Sequence, residues 1–349
     1  MDTHYTPAAP RLSLLDLSPV PSGSTPAEAL HQTLDLARFA DEAGYHRYWM
    51  SEHHNTALLA SSAPEVMIGH VASITHNLRV GSGGIMLPNH APLKIAETFR
   101  TLEALHPGRI DLGLGRAPGT DPLTAVALRR SRHAPGADDF PQQFDELMGF
   151  FAGQLPDDNP FRRIVAIPQG VAAPEVWMLG SSDYGAIMAA QHGLGFAFAH
   201  HISPSPALRA LRLYYERFEP SQQLAEPHAI LAVSAVCAPT DEEAETLASS
   251  ADLAWLRMNQ NVRAPLPSVE EATHYPYTEY EREFLSANRE RLWVGSPQTL
   301  HERLTAFTRE AGVTEIMITT LIHDHEARRR SYGLLAEAFA LQSNVVPVG

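Results

Sequence analysis

Along most of the chain, short apolar runs alternate with longer stretches in which apolar residues recur every three or four positions. The first pattern predicts buried strands and the second amphipathic helices. Residues 12–17 form an apolar run ended by Ser18 and Pro19, and Leu30, Leu34, Ala37 and Ala40 then mark one face of a helix that stops at Gly44. Thr25, Pro26 and Glu28 give that helix a capping hydroxyl, a proline at its first position and a glutamate three residues after the cap. The alternation continues with strands at 45–50, 79–87 and 110–114 and helices opened by Pro64 and Pro92. It resumes with a helix at 140–151, strands at 176–179, 196–199, 229–238 and 315–319, and helices at 184–192, 206–218, 241–256, from 297, and 325–341.

Eight strands alternating with about eight helices predict an α/β chain folded as a (β/α)8 TIM barrel, a single domain over 1–349. A doubly wound open sheet is the alternative, and the count of eight favours the barrel. Three stretches break the alternation and are expected to be insertions: about 117–139, with a basic cluster at Arg129, Arg130 and Arg132, then 156–173 and 258–291.

Composition narrows the partners. A formal net charge of −14 over 349 residues argues against nucleic acid or an anionic membrane surface. Cys237 is the one cysteine, which excludes an intrachain disulfide and points to a reducing, cytoplasmic setting. No apolar run approaches the ~20 residues of a membrane span, and residues 1–10 lack the pattern of a signal peptide.

Strand ends carry the chemistry. In a barrel the site lies where the strands end, which gathers Glu52, His53, His54, Gly83, Gly84, Gly115, Arg116, Gly180, Ser181, Ser182, His200 and His201 at one mouth. Neighbours along a strand face opposite ways, so one of His53 and His54 is expected to face that mouth. Imidazole can exchange a proton near neutrality, which suits His53 to catalysis. Gly180, Ser181 and Ser182 lie between a strand and a helix, where free N–H groups can hold a phosphate, although Ser182 or Asp183 could simply cap the helix. The chain has 18 histidines, but His53-His54 and His200-His201 are adjacent pairs and no His-Glu-x-x-His occurs, so no metal site is expected. Gly113 and Gly115 begin a dinucleotide fingerprint that Pro118 fails to complete.

Three motifs in this order resemble the bacterial luciferase-like flavin monooxygenases: Glu52-His53-His54, Val80 to Gly84 with Leu87-Pro88, and Gly108-Arg109 through Gly115-Arg116. The resemblance implies reduced FMN at the barrel mouth, O2, a small organic substrate, a homodimer, and a separate flavin reductase as donor. It implies His53 beside the flavin, with Glu52 orienting it or holding the strand end. It places a non-prolyl cis peptide at Gly83-Gly84 against the flavin ring. The flavin phosphate is expected at Gly180, Ser181 and Ser182, with Arg116 adding charge. Phe198, Trp49 and the tyrosines of 275–280 are expected on the substrate side. One departure is Ala117-Pro118-Gly119, where relatives often carry an aromatic residue after the arginine. Other members use the deazaflavin F420 for hydride transfer, so that reading, a non-catalytic flavin binder and a metal-dependent hydrolase stay open.

Overall fold

The computed structural model describes residues 10–129 and 139–344. Arg130 and Arg132 of the basic cluster and the N-terminal tail lie outside the described residues. Nine parallel strands form one sheet: β1 (Arg11–Asp16), β2 (Arg47–Met50), β3 (Arg79–Met86), β4 (Ile110–Gly115), β5 (Glu175–Gly180), β6 (Gly195–Ala199), β7 (Ala229–Cys237), β8 (Leu292–Gly295) and β9 (Glu315–Thr319). β1 to β7 pair in order, and β9 joins β7 to β1, closing an eight-stranded barrel. This is the predicted (β/α)8 barrel.

β8 is the ninth strand and was not expected. The lower half of β7 pairs with β6 and β9, while Ser234 to Cys237 continue past the rim and pair with Leu292 to Gly295. A four-residue strand beside a charged stretch carries too little periodicity to be read from sequence.

Twelve helices surround the barrel among the described residues: α1 (Pro26–Glu42), α2 (Pro64–Ile74), α3 (Pro92–Leu105), α4 (Pro122–Arg129), α5 (Phe140–Ala152), α6 (Asp183–Gln191), α7 (Ala207–Arg217), α8 (Asp241–Asn259), α9 (Val269–His274), α10 (Glu279–Ala287), α11 (Pro297–Ala311) and α12 (His325–Ala338). The capping box at Thr25 and Glu28 forms as predicted. α4, α9 and α10 fall in two of the stretches expected to be insertions, and Ser268 and Thr278 cap the latter two. The 156–173 stretch packs on α3, whose Arg100 donates to the carbonyl oxygens of Ala166, Pro168, Phe150 and Phe151.

The inside of the barrel is layered. Its lower end is ionic: Arg47 reaches Asp111 at 2.7 Å, Glu315 at 3.0 Å and Glu175 at 3.3 Å, and Trp49 Nε1 donates to Asp111. Burial alone would raise the Glu315 carboxyl, but Arg47 and His228 hold it at about 2. Above lies an apolar layer of Leu15, Trp49, Trp177, Ala197, Ile230, Ala232 and Met317. Trp49 and Trp177 meet edge to face at 5.5 Å. A Cβ on Gly195 would come within 2.4 Å of the Trp177 ring, so the indole fits only beside glycine. Trp49 is therefore core. Phe198 is buried in the outer core, and Tyr275 and Tyr277 pack on α8. Of the aromatics expected on the substrate side, Trp49 and Phe198 are thus core residues, while Tyr280 is exposed.

Candidate active site

The tips of β2 and β3 are tied together by one carboxylate. Glu52 is fully buried and accepts from the Met86 N–H at 2.8 Å, from His54 Nε2 at 2.9 Å and from His90 Nε2 at 2.9 and 3.0 Å. Asn89 Nδ2 lies 3.4 Å from it. Burial pushes the carboxyl up, and the bonds from His90, His54 and Met86 outweigh that and hold it below its usual range. His90 is raised in turn: its burial pulls it down, but the bond to Glu52 and the charges of Glu52 and Glu65 together outweigh that. Of the two tasks expected of Glu52, the geometry matches holding the strand end. It makes no hydrogen bond to His53.

The departure after Arg116 belongs to the same network. Gly119 has φ +63°, and a Cβ there would come within 2.9 Å of the Glu52 carbonyl oxygen. Asn89 Nδ2 donates to the Pro118 carbonyl at 2.9 Å. Small residues and a left-handed turn let the β4 tip close onto the β2 tip.

His53 and His54 lie beyond the end of β2 and make different contacts. His54 turns to Glu52, while His53 Nδ1 pairs with Ser51 Oγ at 2.9 Å and its N–H donates to the Ser61 carbonyl. Burial brings the His53 imidazole down to about 4, against the pull of Glu52 and with the help of His201 and His54. The near-neutral value expected from sequence is thus corrected: at neutral pH this ring is uncharged. β2 and β6 stand on opposite walls of the barrel, so His53 and the His201 that bears on it both project over the mouth. His200 turns outward, edge-on to Trp293 and Phe307.

The peptide between Gly83 and Gly84 is cis, and the β3–β4 register shifts between Ser82 and Ile85. A Cβ on Gly83 would meet Leu15 at 2.6 Å, and one on Gly84 would meet Leu179 at 2.4 Å and the Gly113 carbonyl oxygen at 2.8 Å. Gly84 is required by packing, since the Gly113 backbone cannot yield, whereas at Gly83 the Leu15 side chain could move aside.

Across from this pair lies the start of α6. Ser182 is the N-cap residue, yet its side chain makes no capping bond, so the capping alternative is not realised. Asp183 pairs with Arg209 at 2.9 Å, which offsets its charge at this helix start. The exposed Arg116 stacks its guanidinium 4.0 Å over the Tyr184 ring, in the first turn of α6. Gly180 and Gly185 approach closely, a Cβ on Gly180 coming within 3.3 Å of Gly185 Cα. Free N–H groups, two serine hydroxyls and one cation therefore converge on a tight turn, a donor set that fits a phosphate. Gly180, Ser181, Ser182 and Arg116 come together here; His90, Ser51, Asn89 and Tyr184 are contacts that sequence reasoning missed. No group of three or more histidine, cysteine, aspartate or glutamate residues arranged to hold a metal occurs among the described residues.

Comparison with known families agrees with this architecture. The family model described as luciferase-like monooxygenase matches residues 11–315. The chain belongs to the luciferase-like monooxygenase family. A relative named luciferase-like monooxygenase from Escherichia coli strain K12 is 44% identical over 323 residues, covering 92% of this chain and 95% of its own. N-acetyl-S-alkylcysteine monooxygenase from Bacillus subtilis strain 168 is 35% identical over 329 residues, covering 94% and 98%. The crystal structure of apo-MsnO8 superposes with TM-score 0.88 at 37% identity, covering 96% of this chain and all of that one (100%). The FMN complex of the oxygenating constituent of 3,6-diketocamphane monooxygenase from Pseudomonas putida shares the fold, with TM-score 0.68 at 18% identity and coverage of 97% and 99%. No described helix of this family member is long and apolar enough to cross a membrane.

Proposed function

We propose that this family member uses reduced FMN and O2 to oxygenate a small organic substrate. The observation that carries this reading is the phosphate-shaped turn at Gly180, Ser181 and Ser182, with Arg116 stacked on Tyr184 and the Gly83–Gly84 pair on a neighbouring strand tip. FMN would be held by its phosphate at that turn and by its ring against the two glycines. When bound, reduced flavin supplies the electrons that activate oxygen. The rest is the work of side chains. His53, uncharged and with Nδ1 engaged by Ser51, has Nε2 left to accept or return a proton at the reacting centre. Glu52 fixes the β2 and β3 tips around it.

Residues 1–349 act as one domain in this reading, and a separate flavin reductase supplies the cofactor. A homodimer is part of the proposal. The apolar run at Ala57 to Ala60 does not demand one, because Leu59 bridges Pro19 and Ala60 bonds Ser18 within the chain. Val66 on α2 and Leu105 on α3, 66% and 67% exposed, are the apolar side chains such a contact would cover.

The test is an anaerobic titration with reduced FMN, oxidised FMN and F420, followed by fluorescence. Saturable binding of reduced FMN is expected. Binding of F420 alone would move the protein to hydride transfer, and binding of neither flavin at millimolar concentration would end the proposal.

A further inference from the structure

Four arginines are buried among the described residues: Arg47, Arg100, Arg291 and Arg328. Three have their terminal nitrogens engaged, although the Nε of Arg100 is also buried without an acceptor. Arg47 reaches three carboxylates, Arg100 donates to four carbonyls, and Arg328 bonds Asp16 and the Thr320 carbonyl. Arg291 differs. Its side chain makes no hydrogen bond to the described residues. Its one ion pair, to Asp252 at 3.5 Å, is shared with Arg289, which holds the same carboxylate at 2.6 Å. Its Nε is buried without an acceptor. A guanidinium carries five donors, and burying them unfilled is costly. One face rests on Trp255, 4.1 Å from the ring centre, which leaves the N–H groups at its edge free for an acceptor. Burial, only partly offset by Asp252, brings this group down to about 10.

Its place in the fold is informative. Arg291 precedes β8, and Leu292 pairs with Ser234 while Thr319 of β9 pairs with the same residue from the other side. β8 therefore continues the column of β6 above the rim, next to His201. His201 Nδ1 lies 3.1 Å from the Ala232 carbonyl and donates to it, which leaves Nε2 as an acceptor. The charge of Arg291 bears on His201, and His201 bears on His53. Arg291, just before β8, and His201, just after β6, thus flank β7 on the same side of the rim.

We propose that Arg291 receives the anionic group, a carboxylate or sulfonate, of the organic substrate, so that this enzyme acts on small organic anions. The assignment rests on the monooxygenase reading of the mouth.

The test compares N-acetyl-S-benzylcysteine with its uncharged carboxamide by calorimetry, on the wild type, Arg291→Met and Arg291→Lys, each with reduced FMN under anaerobic conditions. The wild type is expected to prefer the carboxylate by at least about tenfold, the effect of one charge-assisted contact. Arg291→Met should lose that preference while binding the carboxamide unchanged, and Arg291→Lys should recover part of it. Without ligand, Arg291→Met should melt no lower than the wild type, because an unfilled buried charge has been removed. Absence of any preference in the wild type, or of binding by either probe, overturns the assignment. So does a Met variant that melts lower and keeps the preference, since Arg291 would then be a structural partner of Asp252. Loss of FMN but not riboflavin affinity in Arg291→Met would assign the residue to the cofactor phosphate and also overturn it. Failure of FMN binding with the carboxylate preference intact would remove the monooxygenase reading and leave the anion site standing.

Discussion

Arg116 and His53 reach the mouth from different strands and are expected to fail in different ways. Arg116 is exposed and stacked on Tyr184, so its removal leaves the core untouched. Arg116→Ala should weaken FMN binding about ten- to a hundredfold, the worth of one charge-assisted bond. Riboflavin, which lacks the phosphate, should bind as before; an equal loss for both ligands would remove Arg116 from the phosphate site. His53→Ala should leave reduced-flavin affinity within a few fold and divert oxygen consumption from product to hydrogen peroxide. His54→Ala should instead cost about 1–3 kcal/mol of stability, because His54 serves Glu52. Matched peroxide assays and urea titrations on the two variants separate these outcomes. The histidine pair and Arg116 were legible because each follows a strand, and the two glycines because they interrupt one. His90 was not: only the short 3-10 turn at Leu87–Asn89 carries it back to Glu52, a closure that no local spacing announces.

At the scale of elements, the cap and stop signals proved readable. Thr25 with Glu28, and Gly44 at φ +86° after α1, sit where helix chemistry requires them. Four short elements were missed, β8, α4, α9 and α10, because each is too brief for a hydrophobic period to register and depends on contacts made far along the chain. The β3–β4 contact gives the sharpest test. A methyl on Gly84 would meet the Gly113 carbonyl oxygen, which cannot retreat without breaking the register of β4. Gly84→Ala should therefore lose about 1–3 kcal/mol in urea denaturation, the usual cost of overpacking. A variant as stable as its parent would show that the strands can part there.

For the whole molecule, the ionic floor and the histidines set the response to solvent. Arg47 compensates carboxylates on β4, β5 and β9, so Arg47→Met should cost about 3–5 kcal/mol, since the buried Asp111 would keep only Arg79 and the buried Glu315 only His228. Equilibrium unfolding of the variant reads this directly, and a loss below 1 kcal/mol would contradict it. His46, His53 and His200 are held at about 4, chiefly by burial. The unfolded chain binds these protons near pH 6.5 and the folded chain does not, so the stability they contribute is full above about pH 6.5 and is lost as pH falls toward 4. His90, raised by Glu52, acts in the opposite sense. Because the depressed group outnumbers it, the melting temperature should fall as pH is lowered through this window, and a flat profile would contradict the burial described. The barrel was legible because its period repeats eight times; its layered interior was not, since Arg47, Trp49 and Trp177 read as ordinary strand residues until closure brings them together.

The central claim is that the flavin lies between the Gly83–Gly84 pair and the first turn of α6. A crystal structure of the complex with FMN tests it most directly. Phosphate density is expected on the N–H groups at Ser182 and Asp183, within reach of Arg116, with the ring against Gly83 and Gly84 and His53 facing it. Phosphate density away from α6, or a ring bound outside the barrel mouth, would contradict it.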